Sequence, residues 1–257
     1  MTNAGCPALL VRNLAAGYPG LRDALLDASF SVMPGERIGV LGPNGAGKST
    51  LFKAIVGVIP HHNGDISIHG EDCHTSHHMV GYVPQTDEID WQFPVTVGDV
   101  VMMGRTRQFS WMRFPTRKHW ARVNELLDRV GMVDFRARQI GELSGGQRRR
   151  VFIARALAQE TDVLLLDEPF SGVDVAAEQE VMDVLTRLHN EGITIITATH
   201  DLSTAQKQFD RLLLLRQTVI AYGPPEEVLV AEKLRQAYGR RVGIFKDGEQ
   251  TVIVADR

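Results

Sequence analysis

The stretch that most narrows the possible folds is Gly42-Pro43-Asn44-Gly45-Ala46-Gly47-Lys48-Ser49, which fits the pattern G-x-x-x-x-G-K-[ST]. An apolar run, Arg37–Leu41, precedes it, and Leu51, Ala54, Ile55 and Val58 recur at helical spacing after it. Strand, glycine-rich turn and helix in this order predict a phosphate site where the strand gives way to the helix. The glycines free backbone N–H groups to curl around an anion, and the helix N-terminus adds partial positive charge. Lys48 has the length to reach the β- and γ-phosphates of a nucleotide, Ser49 has a hydroxyl for Mg²⁺, and Thr50 continues the same turn. The bland alternative is a chance glycine-rich turn, and the flanking strand and helix argue against it.

Such a loop also needs a carboxylate for the metal. Val163–Leu166 is a continuous apolar run, as expected of a strand buried on both faces in a parallel sheet, and it ends at Asp167-Glu168. Asp167 is placed to bind Mg²⁺, directly or through water. Glu168 follows immediately, and accepting a proton from an attacking water is its natural role, against the alternative of a solvated acid at a helix start. A second glycine-bearing helix start follows Leu143, at Ser144-Gly145-Gly146-Gln147. Ser144 suits an N-cap, and the N–H groups of Gly145 and Gly146 suit an anion. On these residues alone an ordinary helix cap is the preferred reading. A role toward a nucleotide held by another copy of the chain is the alternative.

The rest of the chain fits an α/β sheet of alternating strands and helices. Strands are expected at Ala8–Val11, Ser29–Val32, Asp65–Ile68, Val80–Val83 and Ile193–Thr197, with a late hairpin at Leu212–Leu215 and Val219–Ala221. Helices are expected at Val97–Met103, His119–Val130, Ser144–Ala158, Asp174–His189 and Leu202–Phe209, and the stretch from Val97 to Ala137 reads as a strandless helical insertion. The segment after Glu232 is polar and weakly patterned. With 28 basic and 31 acidic residues the net charge is −3, which argues against a nucleic-acid binder. Two cysteines, Cys6 and Cys73, exclude a disulfide framework and suit a reducing cytosol. The longest apolar runs, Val163–Leu166 and Leu212–Leu215, are far short of the roughly 20 residues of a membrane span. The first residues carry no signal-peptide pattern.

With these motifs in this order, the chain resembles the ATP-binding subunit of an ABC transporter over about residues 8–230, and Leu143-Ser144-Gly145-Gly146-Gln147 matches that family's signature. The resemblance implies a P-loop NTPase core with an N-terminal antiparallel β-subdomain and a helical subdomain inserted at about residues 86–158, followed by a tail over 231–257. It implies ATP and Mg²⁺ as ligands. Tyr18 matches the aromatic that stacks on adenine, and Gln85, in Tyr82-Val83-Pro84-Gln85, matches the Q-loop glutamine that meets Mg²⁺ or the water and signals to the permease. Ser171-Gly172-Val173-Asp174 matches the D-loop, with Gly172 and Val173 where Ala and Leu are commoner, and His200 matches the switch histidine on the γ-phosphate. Taken singly, Tyr18, Gln85 and His200 could be a strand-end aromatic and two end caps. Their joint placement favours the functional reading. In the family's arrangement two copies pack head to tail around two ATP molecules, which accounts for the second anion site.

The run Asp90-Trp91-Gln92-Phe93-Pro94-Val95-Thr96-Val97-Gly98-Asp99-Val100-Val101-Met102-Met103-Gly104-Arg105, with Gln139–Glu142, resembles the manganese, zinc and iron importer branch. That likeness implies an integral membrane permease as partner, an extracytoplasmic metal-binding protein at one remove, and a peripheral place on the cytoplasmic face of the membrane. Trp91, Phe93 and Met102 are the candidates for apolar contact with the permease, with core packing the alternative. A soluble ABC ATPase acting on DNA or ribosomes, or a non-hydrolysing switch, are competing classes. The lack of a coiled coil, zinc insert or second cassette opposes the first, and intact Asp167, Glu168 and His200 oppose the second. His61, His62, His69, His74, His77 and His78 cluster around Cys73. Cys73-His74 with His77-His78 has spacing that suits a regulatory Zn²⁺, against the plainer reading of a polar surface loop.

Overall fold

Strands and helices follow one another through the chain. β1 (Leu9–Tyr18), β2 (Leu21–Val32), β3 (Arg37–Leu41), α1 (Lys48–Ile55), β4 (His61–Ile68), β5 (Glu71–Asp72) and α2 (Cys73–Ser76) come first. β6 (Val80–Val83), α3 (Val97–Met103), α4 (Arg117–Arg129), α5 (Gly145–Leu157), β7 (Val163–Asp167) and α6 (Val175–Asn190) follow. The chain ends with β8 (Thr194–Thr199), α7 (Leu202–Gln208), β9 (Arg211–Arg216), β10 (Thr218–Gly223), α8 (Pro225–Val228), α9 (Ala231–Tyr238), β11 (Val242–Asp247) and β12 (Gln250–Ala255). This is a computed structural model describing residues 6–85, 90–91, 93–109, 114–239, 242–247 and 250–255. It comprises two units, Met1–His77 with Thr194–Arg257, and His78–Ile193.

In the first unit β1 pairs with β2 on one edge and β4 on the other, giving an antiparallel sheet in the order β2-β1-β4-β5. The strands are longer than the expected Ala8–Val11, Ser29–Val32 and Asp65–Ile68. A bulge explains part of this. Asn13 has φ +46°, the register shifts there, and its N–H and side-chain amide donate to Ser29 Oγ and Asp27 Oδ1 at 2.8 and 3.0 Å. A bulge resets the in–out alternation, so a single period cannot be followed through it.

The same unit holds the parallel strands next to the candidate phosphate loop. β3 pairs in parallel with β8 and with β9, and β9 turns back antiparallel into β10, as the expected hairpin. That hairpin turns at Gln217, whose N–H donates to Ala46 O at 2.8 Å while its carbonyl accepts from the Leu26 N–H at 2.6 Å. The turn therefore ties the loop after β3 to β2. The weakly patterned segment after Glu232 contains α9 and the β11–β12 hairpin. Leu234 and Ala237 of α9 are buried in one core with Leu41, Leu212 and Leu214. A buried leucine of this kind contributes about 1.5–3 kcal/mol.

In the second unit β6 and β7 pair in parallel, and every residue of β7 is buried, as a continuous apolar run requires. Helix starts follow their capping residues. Thr96 and Asp99 form a reciprocal capping box on α3, and Asp174 accepts from the Ala177 N–H at 2.9 Å to start α6. An Arg150–Glu180 ion pair at 2.8 Å links α5 to α6. Among the described residues no helix is long and apolar enough to cross a membrane.

Candidate functional site

The first unit gathers one set of the expected residues at the carboxyl edge of its parallel strands. Leu41 and Thr199 are register partners, so Gly42 and His200 leave neighbouring strands side by side. Ligands of open α/β sheets bind at this edge. Gly47 caps α1 with φ +98°, a left-handed conformation open to glycine, and a Cβ there would lie 2.8 Å from Ala24 O. No side chain caps α1 and no acidic residue lies in its first turn, so its N–H groups and dipole face an anion without competition. Lys48 is only 6% exposed and donates from Nζ to Gly42 O at 2.7 Å and Pro43 O at 3.3 Å, which folds its ammonium over the loop. Asn44 and Gly45 are exposed, Ser49 is half-buried and Thr50 is buried. Tyr18 is half-buried at the end of β1. His200 is exposed just after β8.

The second unit repeats the pattern. Val83 and Leu166 are register partners, so Gln85 and the pair Asp167-Glu168 leave the same edge of β6 and β7. Asp167 is 1% exposed and accepts from the Tyr82 hydroxyl at 3.4 Å. Glu168 has φ +48°, in the left-handed region that non-glycine residues avoid at a cost of roughly 1–2 kcal/mol. That turn swings the chain off the strand and presents the Glu168 side chain at its end. The Ser171 N–H closes the turn on Glu168 O at 3.2 Å.

Ser144 to Gln147 form the start of α5. Ser144 Oγ accepts from the Gln147 N–H at 3.3 Å, and Gln147 Oε1 accepts from the Ser144 N–H at 3.0 Å. In the single chain this start is a closed capping box. Gly146 packs against α6, where a Cβ would come within 2.7 Å of the Ala177 Cβ, and a Cβ on Gly145 would meet Val173 at 3.3 Å. The residues read as the D-loop thus lie beside the signature residues.

Beside Gln85, Pro84, Trp91, Phe93, Met103, Phe152 and Arg155 line an open groove of about 470 Å³. Trp91 meets Phe152 edge-on at 5.5 Å, under the Arg148 guanidinium at 4.6 Å. Phe93 is 58% exposed. Met102 is a correction: it is buried, and its neighbour Met103 faces the groove, because the two point about 100° apart around α3. Arg155 lies over the Phe152 ring at 5.4 Å, and burial lowers its pKa from the usual arginine range. Gln92, quoted with this run, lies outside the described residues.

The histidine-rich segment does not assemble as a zinc site among the described residues, where no group of three or more His, Cys, Asp or Glu side chains is placed to hold a metal ion. Its chain forms β4, β5 and α2 rather than a loop. Cys73 is buried, and His77 Nδ1 bonds the Ile55 carbonyl at 2.9 Å. The His74 side chain lies outside the described part.

Sequence reading missed Arg149 and Gln217. Arg149 is the buried member of three consecutive arginines, and nothing local distinguishes it from the others. Gln217 sits in a hairpin turn with φ +59°, a position where glycine or asparagine would have been the usual signal.

Residues 25–171 match the family described as ABC transporter, and the chain belongs to that family. It is 46% identical over 226 residues to the manganese transport system ATP-binding protein MntB of Bacillus subtilis (strain 168), covering 88% of this chain and 90% of that one. It is 43% identical over 235 residues to the zinc transport system ATP-binding protein TroB of Treponema pallidum (strain Nichols), covering 91% and 88%. A solved chain of an ABC transporter in an inward-facing conformation superposes with a TM-score of 0.82, at 28% identity over 98% of each chain. The fold is that of the ABC ATPases.

Proposed function

We propose that this chain is the ATP-hydrolysing subunit of an importer for a transition metal: manganese, zinc or iron. The observation that carries the hydrolytic reading is Glu168, held in a left-handed turn directly after the buried Asp167 at the end of β7. ATP is the substrate. The N–H groups of the Gly42–Ser49 loop and Lys48 hold its phosphates, Tyr18 stacks on adenine, and His200 bonds the γ-phosphate. Glu168 takes the proton of the attacking water. Ser49, Gln85 and Asp167 offer the hard oxygen donors that Mg²⁺ takes, and the buried Asp167 carboxylate fits such a cation. Mg²⁺, when bound, neutralises charge on the β- and γ-phosphates.

Ser144, Gly145, Gly146 and Gln147 of one copy close on the nucleotide of a second copy. The closure drives a membrane permease seated on the groove at Trp91 and Phe93, and places the chain on the cytoplasmic face of the membrane. An extracytoplasmic metal-binding protein delivers the metal to that permease. The identities to manganese and zinc transport proteins support this substrate class, and the net charge of −3 fits attachment through a protein partner rather than nucleic acid. Glu168→Gln is expected to bind ATP and dimerise with it, while turnover falls about 10²–10⁴-fold. Turnover at the wild-type rate would remove the base assignment, and failure to co-purify with a permease would remove the transport reading.

A further inference from the structure

We propose that Arg149 is a positioning residue for hydrolysis, fastening the turn that carries Glu168 to the helix that begins at Ser144. The inference rests on the reading of Glu168 as the base.

Three arginines follow the signature residues, and each does something different. Arg148 donates to Gly141 O at 2.7 Å, outside the core, and Arg150 pairs with Glu180 at 2.8 Å. Arg149 turns inward and is 6% exposed. Its Nη1 donates to Glu168 O at 2.7 Å, and its Nη2 donates to Ser171 O. Both acceptors are main-chain carbonyls of the turn that follows β7. Buried carbonyls need donors, and a planar guanidinium offers two in a fixed fork.

The location of those carbonyls matters. Glu168 already sits at φ +48°, where the backbone persists only if the surroundings hold it. Fixing the Glu168 carbonyl fixes the orientation of the peptide that follows, and so limits where the Cα–Cβ bond can point. Fixing the Ser171 carbonyl anchors the far side of the same turn, next to Gly172 and Val173. Arg149 is in the second turn of α5, and Ser144 caps the first. The helix start that meets a second copy's nucleotide and the turn that carries this copy's base are therefore joined by one side chain. Engagement at Ser144–Gln147 is felt at Glu168 within the same chain.

The test compares R149Q, R149K and E168Q in the purified full chain. R149Q is expected to lower kcat about 10–100-fold, the scale of an ångström-sized misplacement, with the KM for ATP within about twofold. R149K keeps the charge without the fork and is expected to fall between R149Q and the wild type. Adding R149Q to E168Q is expected to slow turnover little beyond E168Q alone, because residues acting as a unit do not add. The inference is overturned if R149Q turns over at the wild-type rate, if kcat and KM fail together with a loss of melting temperature, or if the two losses multiply. Should R149Q not fold, the kcat-against-KM split of R149K decides in the same way. E168Q at the wild-type rate overturns the base reading itself. E168Q inactive with R149Q unimpaired overturns only the role of Arg149.

Discussion

Both α1 and α5 begin on glycines, and they treat their first N–H groups in opposite ways. α1 starts at Gly47 with no side-chain cap, and its lysine folds over the loop that precedes it. α5 starts at Ser144 with both members of a capping box engaged. The first has no side-chain cap to compete with the anion proposed there. The second spends the Gln147 N–H on Ser144 Oγ and the Ser144 N–H on Gln147 Oε1, so those two donors must exchange one hydrogen bond for another before they can serve a phosphate, and their net gain is small. A site of the second kind is useful when the ligand is already held elsewhere, which is the situation of a nucleotide bound to another copy. The difference fits the proposed division, with capture at Gly42–Ser49 and closure at Ser144–Gln147.

The sharpest way to break this comparison is Lys48→Ala. Removing a charged donor from phosphate is worth about 1.5–3 kcal/mol, so ATP affinity of the isolated chain should fall by on the order of 10–100-fold in equilibrium binding. An unchanged affinity would mean that the loop after β3 does not capture the nucleotide. Gly146→Ala should act on the other loop. Its Cβ would press to 2.7 Å on the Ala177 Cβ, lifting the start of α5 from α6 and costing about 1–3 kcal/mol in denaturant unfolding. ATP affinity of the isolated chain should stay within about twofold. Lost monomer affinity in this variant would merge two roles that the geometry separates.

Much of this arrangement is legible in the residues alone. Arg37–Leu41 and Val163–Leu166 are apolar runs whose placement as strands follows from burial, and Ser144 and Asp174 mark helix starts by the chemistry of their side chains. What escapes is set by contacts distant in sequence. The β1 bulge at Asn13 is held by Asp27 and Ser29, which no local period reveals. α9 buries little besides Leu234 and Ala237, too short a stripe to read as amphipathic. His77, spaced with Cys73 for a metal, bonds the Ile55 carbonyl instead. Met102 and Met103 are neighbours in the sequence with opposite fates, and only the packing of α3 tells them apart. Arg149 is hidden among three arginines for the same reason.

Ser144→Ala carries the smallest effect and separates the two loops most cleanly. The substitution removes the hydroxyl that accepts from the Gln147 N–H, so the helix start should lose about 1 kcal/mol of stability. If that hydroxyl is only a cap, the loss ends there, and assembly of two copies around ATP is unaffected beyond the shift in unfolding. If it also serves the nucleotide of a second copy, the ATP-driven dimer of the Glu168→Gln background should weaken about 5–10-fold, the worth of one neutral hydrogen bond, while ATP affinity of the monomer is unchanged. Sedimentation of the variant with ATP distinguishes the outcomes. A weakened dimer with intact monomer binding supports closure by this loop. An unweakened dimer returns Ser144 to the ordinary cap that the single chain displays.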